Sequence, residues 1–143
     1  MQIKIKRIDK SLPLPKKATA GSVAFDLYSR AEVKIKPGEI SLLPSNFIIK
    51  VPPGLMLMLA PRSSLAKKLG LIMPNSIGII DQDYCGESDE ILIQVYNFTK
   101  KKVVIKKSER IAQAIFVKID THINWRETDK IKTKSRGGFG STG

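Results

Sequence analysis

The chain predicts an all-β single domain of many short strands with one short helix. Three observations lead there. Apolar and polar residues alternate over short runs, as at 2–8, 32–36 and 100–107, the period of a strand with one wet face. Turn signals, Pro37-Gly38 and Pro52-Pro53-Gly54 among them, cut these runs at short intervals. Only residues 62–70 string helix formers between a capping serine and a closing glycine. A length of 143 residues suits one domain with a core of its own, spanning 1–143.

Taken in order, Gln2 to Ile8 alternates as a first strand. The stretch 11–17 (Ser-Leu-Pro-Leu-Pro-Lys-Lys) cannot lie inside a sheet, because each proline lacks a donor, and so forms a surface loop. Val23 to Ser29 is a short strand with Asp26 amid apolar neighbours, a residue that caps or satisfies a nearby loop when read alone. Strands are expected at Glu32 to Lys36, along the alternating stretch Ile40 to Val51, and at Leu55 to Ala60, which Pro61 stops. The helix near residues 63–69 follows, with backbone N–H groups, hydroxyls and Arg62 converging at its start on any anion present. A plain serine cap beside an exposed arginine is the competing reading of that start.

The stretch 78–87 (Gly-Ile-Ile-Asp-Gln-Asp-Tyr-Cys-Gly-Glu) organises the rest. It reads as a buried strand that surfaces and presents Asp81, Asp83 and Tyr84. A carboxylate fixed where a strand meets a turn, beside an apolar wall, suits a general base, since partial burial raises its proton affinity. Ordinary turn residues bonding their own backbone are the alternative. Asn75 either makes a turn after Pro74 or matches the donor and acceptor edge of a nucleobase. Ile91 to Phe98 is a further core strand, and 108–119 fits helix or strand, with branched residues favouring strand. Gln113 interrupts an apolar run and needs a partner.

The formal charge of +12 attracts an anion, a nucleoside triphosphate or a nucleic acid. Much of it lies on strand-like lysine runs whose solvated face explains most of the excess. One cysteine, Cys85, allows no internal disulfide and no cysteine cluster for a metal, which points to a reducing compartment, the cytoplasm by default, or at least to independence from oxidation. No apolar run is long enough to span a bilayer, and no membrane partner is expected. His122 is the only histidine and takes no role. From Thr128 the chain turns lysine-rich and then glycine-rich, a tail expected to be mobile until bound, whose Phe139 suits stacking on a planar base. A disordered end or an Arg/Gly RNA-contact tail is the alternative.

Five stretches together resemble the trimeric deoxyuridine triphosphate nucleotidohydrolases, the dUTPases, in family order across nearly the whole chain. They are 24–29 (Ala-Phe-Asp-Leu-Tyr-Ser), 61–66 (Pro-Arg-Ser-Ser-Leu-Ala), 78–84 with Gly86-Glu87, 109–113 (Glu-Arg-Ile-Ala-Gln), and Gly137 to Gly143. The resemblance implies a jelly-roll-like β-barrel, a homotrimer with interfacial sites, and 130–143 as a mobile C-terminal lid. It implies hydrolysis of dUTP to dUMP and pyrophosphate, which limits uracil incorporation into DNA and supplies dUMP for thymidylate synthesis. In that reading Asp81 activates the water that attacks the α-phosphorus. Tyr84 packs on the deoxyribose, while Asn75 and the backbone at Ile79 and Ile80 read the uracil. Arg62, Ser63, Ser64 and Gln113 take the phosphates. Phe139 closes over the base, with Arg136, Ser141 and Thr142 around the outer phosphates. Mg²⁺ is carried mainly by the triphosphate, and Asp26 assists it through water. No stable nucleic-acid partner is implied.

This sequence departs from the family pattern at a few places. Ala24, Ser64 and Ser108 stand where glycine is usual, Cys85 where arginine is common, and the segment after Gly86 is longer. Other functions stay in view: a dCTP deaminase-like or bifunctional relative, although Ile93-Gln94-Val95 lacks the glutamate deamination needs, and a basic nucleic-acid-binding module with steep salt dependence.

Overall fold

A computed structural model describes residues 1–138. Eleven strands and one helix occur among them. The strands are β1 (Lys4–Arg7), β2 (Phe25–Tyr28), β3 (Val33–Ile35), β4 (Ile40–Pro44), β5 (Phe47–Lys50), β6 (Leu55–Pro61), β7 (Leu71–Ile72), β8 (Gly78–Ile80), β9 (Leu92–Asn97), β10 (Val103–Ile105) and β11 (Arg110–Lys118), with helix α1 (Leu65–Leu69) after β6. All pairings are antiparallel. They form a four-stranded sheet β2-β11-β6-β8, a three-stranded sheet β4-β9-β7, and the ribbons β1-β5 and β10-β3. The expected all-β architecture with one short helix holds. No helix among the described residues is long and apolar enough to cross a membrane.

One core joins these sheets. Leu27, Leu57, Leu59 and Ala114 from the larger sheet meet Leu43, Ile93 and Val95 from the smaller one, with Ile35 and Ile105 filling from the β10-β3 ribbon. β9 shows why the alternation was legible: Ile93, Val95 and Asn97 are buried while Leu92, Gln94 and Tyr96 face outward. Asn97 pays no desolvation penalty because its amide donates to the Ile35 and Lys101 carbonyls at 3.1 and 2.8 Å.

Three details differ from the sequence reading. The stretch Ile40 to Val51, read as one long alternating run, divides into two strands with different partners. The chain bends at Ser45-Asn46, where Asn46 takes φ 78° and is wholly buried, so β4 pairs with β9 while β5 leaves to pair with β1. The side chain of Asn46 makes this bend affordable, accepting from the Asp9 N–H at 2.6 Å and donating to its carbonyl at 3.0 Å. β7 was not anticipated, because two residues carry no periodicity. Ser64 does not cap α1: its own backbone is helical (φ −93°, ψ −3°) and its hydroxyl makes no capping bond, whereas a capping residue needs an extended backbone to turn its oxygen inward. The closing glycine holds as read. Gly70 has φ 64°, and a Cβ there would lie 2.1 Å from the Thr99 methyl.

The two strands of the β10-β3 ribbon run into matching turns, 36–39 (Lys-Pro-Gly-Glu) and 106–109 (Lys-Lys-Ser-Glu). In each, the glutamate folds back on the turn: Lys36 N–H donates to Glu39 Oε2 at 2.6 Å and Lys106 N–H to Glu109 Oε2 at 2.9 Å. Both turns need a left-handed residue. Gly38 supplies it at φ 72° without strain, and Ser108 is forced into it at φ 70°.

Candidate active site

β6 runs through the middle of the larger sheet, and the predicted site residues collect at its two ends. At the Pro61 end, the register sets Asp26 of β2 beside Gln113 of β11, and Gln113 beside Ala60. Asp26 is buried, at 9% exposure, and its carboxylate is shared by two cations. Arg62 Nε–H donates to Oδ1 at 2.9 Å and Arg110 Nη1–H to Oδ2 at 3.1 Å. The partner that Gln113 needs is the Pro61 carbonyl, which its Nε2 reaches at 3.1 Å. Arg62 and Ser64 line a shallow cleft with Lys68, Glu109 and Arg110, and Arg62 and Ser63 line a second, of about 420 Å³, with Met73 and Ser76. One carboxylate between two guanidiniums leaves net positive charge, and both arginines stay partly exposed where they line the cleft. That is a seat for a polyanion with fork-like recognition of phosphate oxygens.

The opposite end carries the organising stretch. β8 pairs with β6 through Leu57↔Ile80 and Leu59↔Gly78, and it is the edge strand of its sheet. Among the described residues its outer edge pairs with no strand, which leaves it open to a ligand or another chain. The strand is less buried than the sequence suggests: Ile79 is 56% exposed. At Asp81 the chain leaves the sheet, and Ile80, Asp81, Gln82 and Asp83 line a cleft of about 500 Å³ with Leu55, Met56, Ile119 and Thr121. Gln82 ties the turn to β6 by donating to the Leu55 carbonyl at 3.0 Å. Asp81 itself is exposed, which corrects the expectation of partial burial. The reason is the open edge of β8, which no described part of this chain covers. Tyr84 is held by its hydroxyl, which donates to the Glu90 carbonyl at 3.1 Å. Asn75 is exposed in the turn before β8, with its own carbonyl accepting from Ile77 N–H at 2.6 Å.

β6 is seven residues long, so its ends lie roughly 20 Å apart at about 3.3 Å per residue. Arg62, Ser63, Ser64, Gln113 and Asp26 gather at one end, and Asp81 opens at the other. Because β8 runs antiparallel to β6, Asn75 lies toward the Arg62 end and is separated from Asp81 by the length of β8. Arg136 is exposed at the end of the described chain, and Phe139, Ser141 and Thr142 lie outside the described residues.

A sequence model of the family described as dUTPase matches residues 10–143. The chain belongs to that family. Over its whole length it is 40% identical to the deoxyuridine 5'-triphosphate nucleotidohydrolase of Dictyoglomus turgidum, covering 99% of that protein. It is 43% identical over 99% of its length to the enzyme of the same name from Rickettsia felis, covering 97% of it. The crystal structure of dUTPase from Streptococcus mutans superposes with a TM-score of 0.78 at 32% identity, over 84% of this chain and 98% of that one.

The geometry at the Pro61 end brings in two residues the sequence reading did not single out. Arg110, which shares Asp26 with Arg62, stood inside a quoted motif, and its pairing with β2 was the missing signal. Lys68 looked like a solvated helix residue, yet it lines the same cleft as Arg62. Among the described residues no group of three or more His, Cys, Asp or Glu could hold a metal. Asp26 suits an indirect role: each of its oxygens accepts one guanidinium bond and keeps a lone pair for water.

Proposed function

We propose that this chain hydrolyses dUTP to dUMP and pyrophosphate at sites assembled between subunits of a homotrimer. The observation that carries the reading is the placement of the two groups at opposite ends of β6, with the cationic end already formed and the Asp81 end open. A triphosphate held at the Arg62 end of one subunit meets Asp81 of another, so neither end works alone. The exposed apolar face of the smaller sheet supports association: Ile40, Leu42, Ile72 and Leu92 are 53%, 55%, 41% and 42% exposed. Ile123, Trp125 and Ile131, at 64%, 96% and 81%, supply more such surface beyond β11.

In the assembled site Asp81 accepts a proton from the water that attacks the α-phosphorus, the α–β bridging bond breaks, and pyrophosphate leaves. Burial by the neighbouring subunit gives this carboxylate the apolar wall it lacks in the single chain. Arg62, Ser63, Ser64, Gln113, Arg110 and Lys68 neutralise and orient the phosphates, the main demand of phosphoryl transfer. Asp26 would hold Mg²⁺ indirectly, through water, and the ion, when bound with the triphosphate, would supply further charge neutralisation. The unpaired edge of β8 at Ile79 and Ile80, with Asn75, presents donors and acceptors to uracil, and the Tyr84 ring fills the space a 2′-hydroxyl needs. The segment 130–143 closes the site, Phe139 stacking on the base and Arg136, Ser141 and Thr142 meeting the outer phosphates.

The test is pyrophosphate release from dUTP, UTP, dTTP and dCTP, with and without Mg²⁺, by the full chain and by a chain ending at Ser135. Turnover confined to dUTP and lost with the tail is the expected result. Similar turnover of several nucleotides, deamination of dCTP, or none at all overturns the reading.

A further inference from the structure

Residues 81–90 carry Asp81 and Tyr84 without any regular secondary structure, so something outside the segment must set the position of the tyrosine ring. The Tyr84 hydroxyl donates to the main-chain carbonyl of Glu90 at 3.1 Å. Glu90 is in turn the most firmly fastened residue of the segment. Its carboxylate takes a two-pronged bond from Arg30, Nε to Oε1 at 2.9 Å and Nη2 to Oε2 at 2.8 Å. The Asn46 N–H adds a third bond to Oε1 at 2.7 Å. The pair is shielded, with the Arg30 and Glu90 side chains 32% and 12% exposed.

Each anchor is itself tied to the body. Arg30 N–H donates to the Pro44 carbonyl at 2.7 Å, and Asn46 is the buried residue whose side chain grips Asp9. The next residue, Ile91, donates to the Phe47 carbonyl at 2.9 Å and enters the core. The other glutamate of the segment makes a useful contrast. Among the described residues the Glu87 carboxylate meets Lys6 alone, in a pair whose side chains are 94% and 50% exposed, and such pairs hold little.

We infer that Arg30 and Glu90 are positioning residues for Tyr84, and that their ion pair sets how strictly the site separates deoxyribose from ribose. The inference rests on the reading that Tyr84 meets the sugar. Rejecting one added hydroxyl demands a wall that does not yield, and a ring displaced by a fraction of an ångström makes room for it. A guanidinium–carboxylate fork with two fixed bonds supplies that stiffness, which a single flexible lysine contact does not. Neither residue touches the nucleotide, so their loss alters selectivity before it alters the chemical step.

The experiment measures kcat/KM for dUTP and UTP, and the affinities for dUMP and UMP by calorimetry, in the wild type and in Arg30→Met, Glu90→Gln and Lys6→Met. Arg30→Met and Glu90→Gln are expected to narrow the preference for the deoxy compound by about tenfold in both readouts, mainly by admitting the ribose form. Lys6→Met, which breaks only the exposed pair, is expected to keep the wild-type preference. Glu90→Gln retains the main-chain acceptor and a side chain of the same shape, so it reports on the ion pair even where Arg30→Met fails to fold. An unchanged preference in the folded variants overturns the inference and leaves the proposed function standing. A wild type that turns over no dUTP and does not prefer dUMP overturns both.

Discussion

The two ends of β6 differ in how much of their work one chain completes. At the Pro61 end the cations are already oriented: Asp26 is shared by Arg62 and Arg110, and Gln113 is bonded to Pro61. At the Leu55 end Asp81 stands exposed beside an unpaired strand edge and a cleft of about 500 Å³. Like charges crowded into one cleft repel unless a buried counter-charge holds them, so the cationic end needs its internal partner in every state of the protein. A lone carboxylate has no such need. Under the proposed function it waits for a neighbouring subunit's surface to desolvate it, which would confine hydrolysis to the assembled site.

The strongest way to break that comparison is subunit mixing. Asp81→Asn and Arg62→Met are each expected to lower turnover by about a thousandfold or more. Unfolding and refolding the two together in equal amounts should return about a quarter of wild-type activity, because a site drawing its ends from different subunits is intact in that share of random combinations. No recovery, with mixed oligomers verified by mass spectrometry of tagged subunits, would mean that both ends come from one chain.

A smaller effect is expected from Asp26→Asn, which leaves both arginines without their counter-charge. Denaturant unfolding should show a loss of about 2 kcal/mol, below the figure for a fully buried pair because Arg110 is half exposed. KM for dUTP should rise as Arg62 loses its orientation. An unchanged KM would mean that the phosphates orient the arginines unaided.

Acid sharpens the contrast on the Asp81 side. Burial opposes ionisation of Glu90, but the bonds from Arg30 and Asn46 outweigh it and lower its pKa from the ordinary 4.5. A carboxyl whose folded pKa is lowered stabilises the fold above the unfolded value and loses that contribution as pH falls through the folded one. Stability should therefore decline below roughly pH 4.5, and Glu90→Gln should flatten part of that decline. Identical acid unfolding curves would show that the pair adds nothing to stability.

The smallest effect concerns the turn leading into Arg110. Ser108→Gly removes a side chain from a left-handed position and should raise stability by about 0.5 to 1 kcal/mol, while Gly38→Ser in the matching turn should lower it comparably. Thermal melts of the two variants, read side by side, check the sign.

Much of this was visible along the chain. Strand alternation and the helix stop at Gly70 depend on neighbours a few residues away, and local pattern reports local constraint; the roles proposed for Asp81, Tyr84 and Arg62 came from the order of five motifs along the whole chain, not from their neighbours. The bend at Asn46 was missed although Pro44, Ser45 and Asn46 break the apolar run with turn-forming residues; the left-handed backbone and the grip on Asp9 reveal the change of partner strand. Glu87 and Glu90 are indistinguishable by composition. What separates them is a partner sixty residues distant, Arg30, and no spacing rule reaches that far.

The amino-acid sequence by itself determined the all-β class, the single short helix and the family, because periodicity, turn chemistry and ordered motifs are carried by the covalent chain. Tertiary structure alone decided that Asp26 holds two arginines, that Glu90 rather than Glu87 anchors the Tyr84 segment, and that the two groups of candidate site residues lie at opposite ends of β6. These are facts of pairing register and burial, which arise only when distant strands share a sheet and exclude water between them.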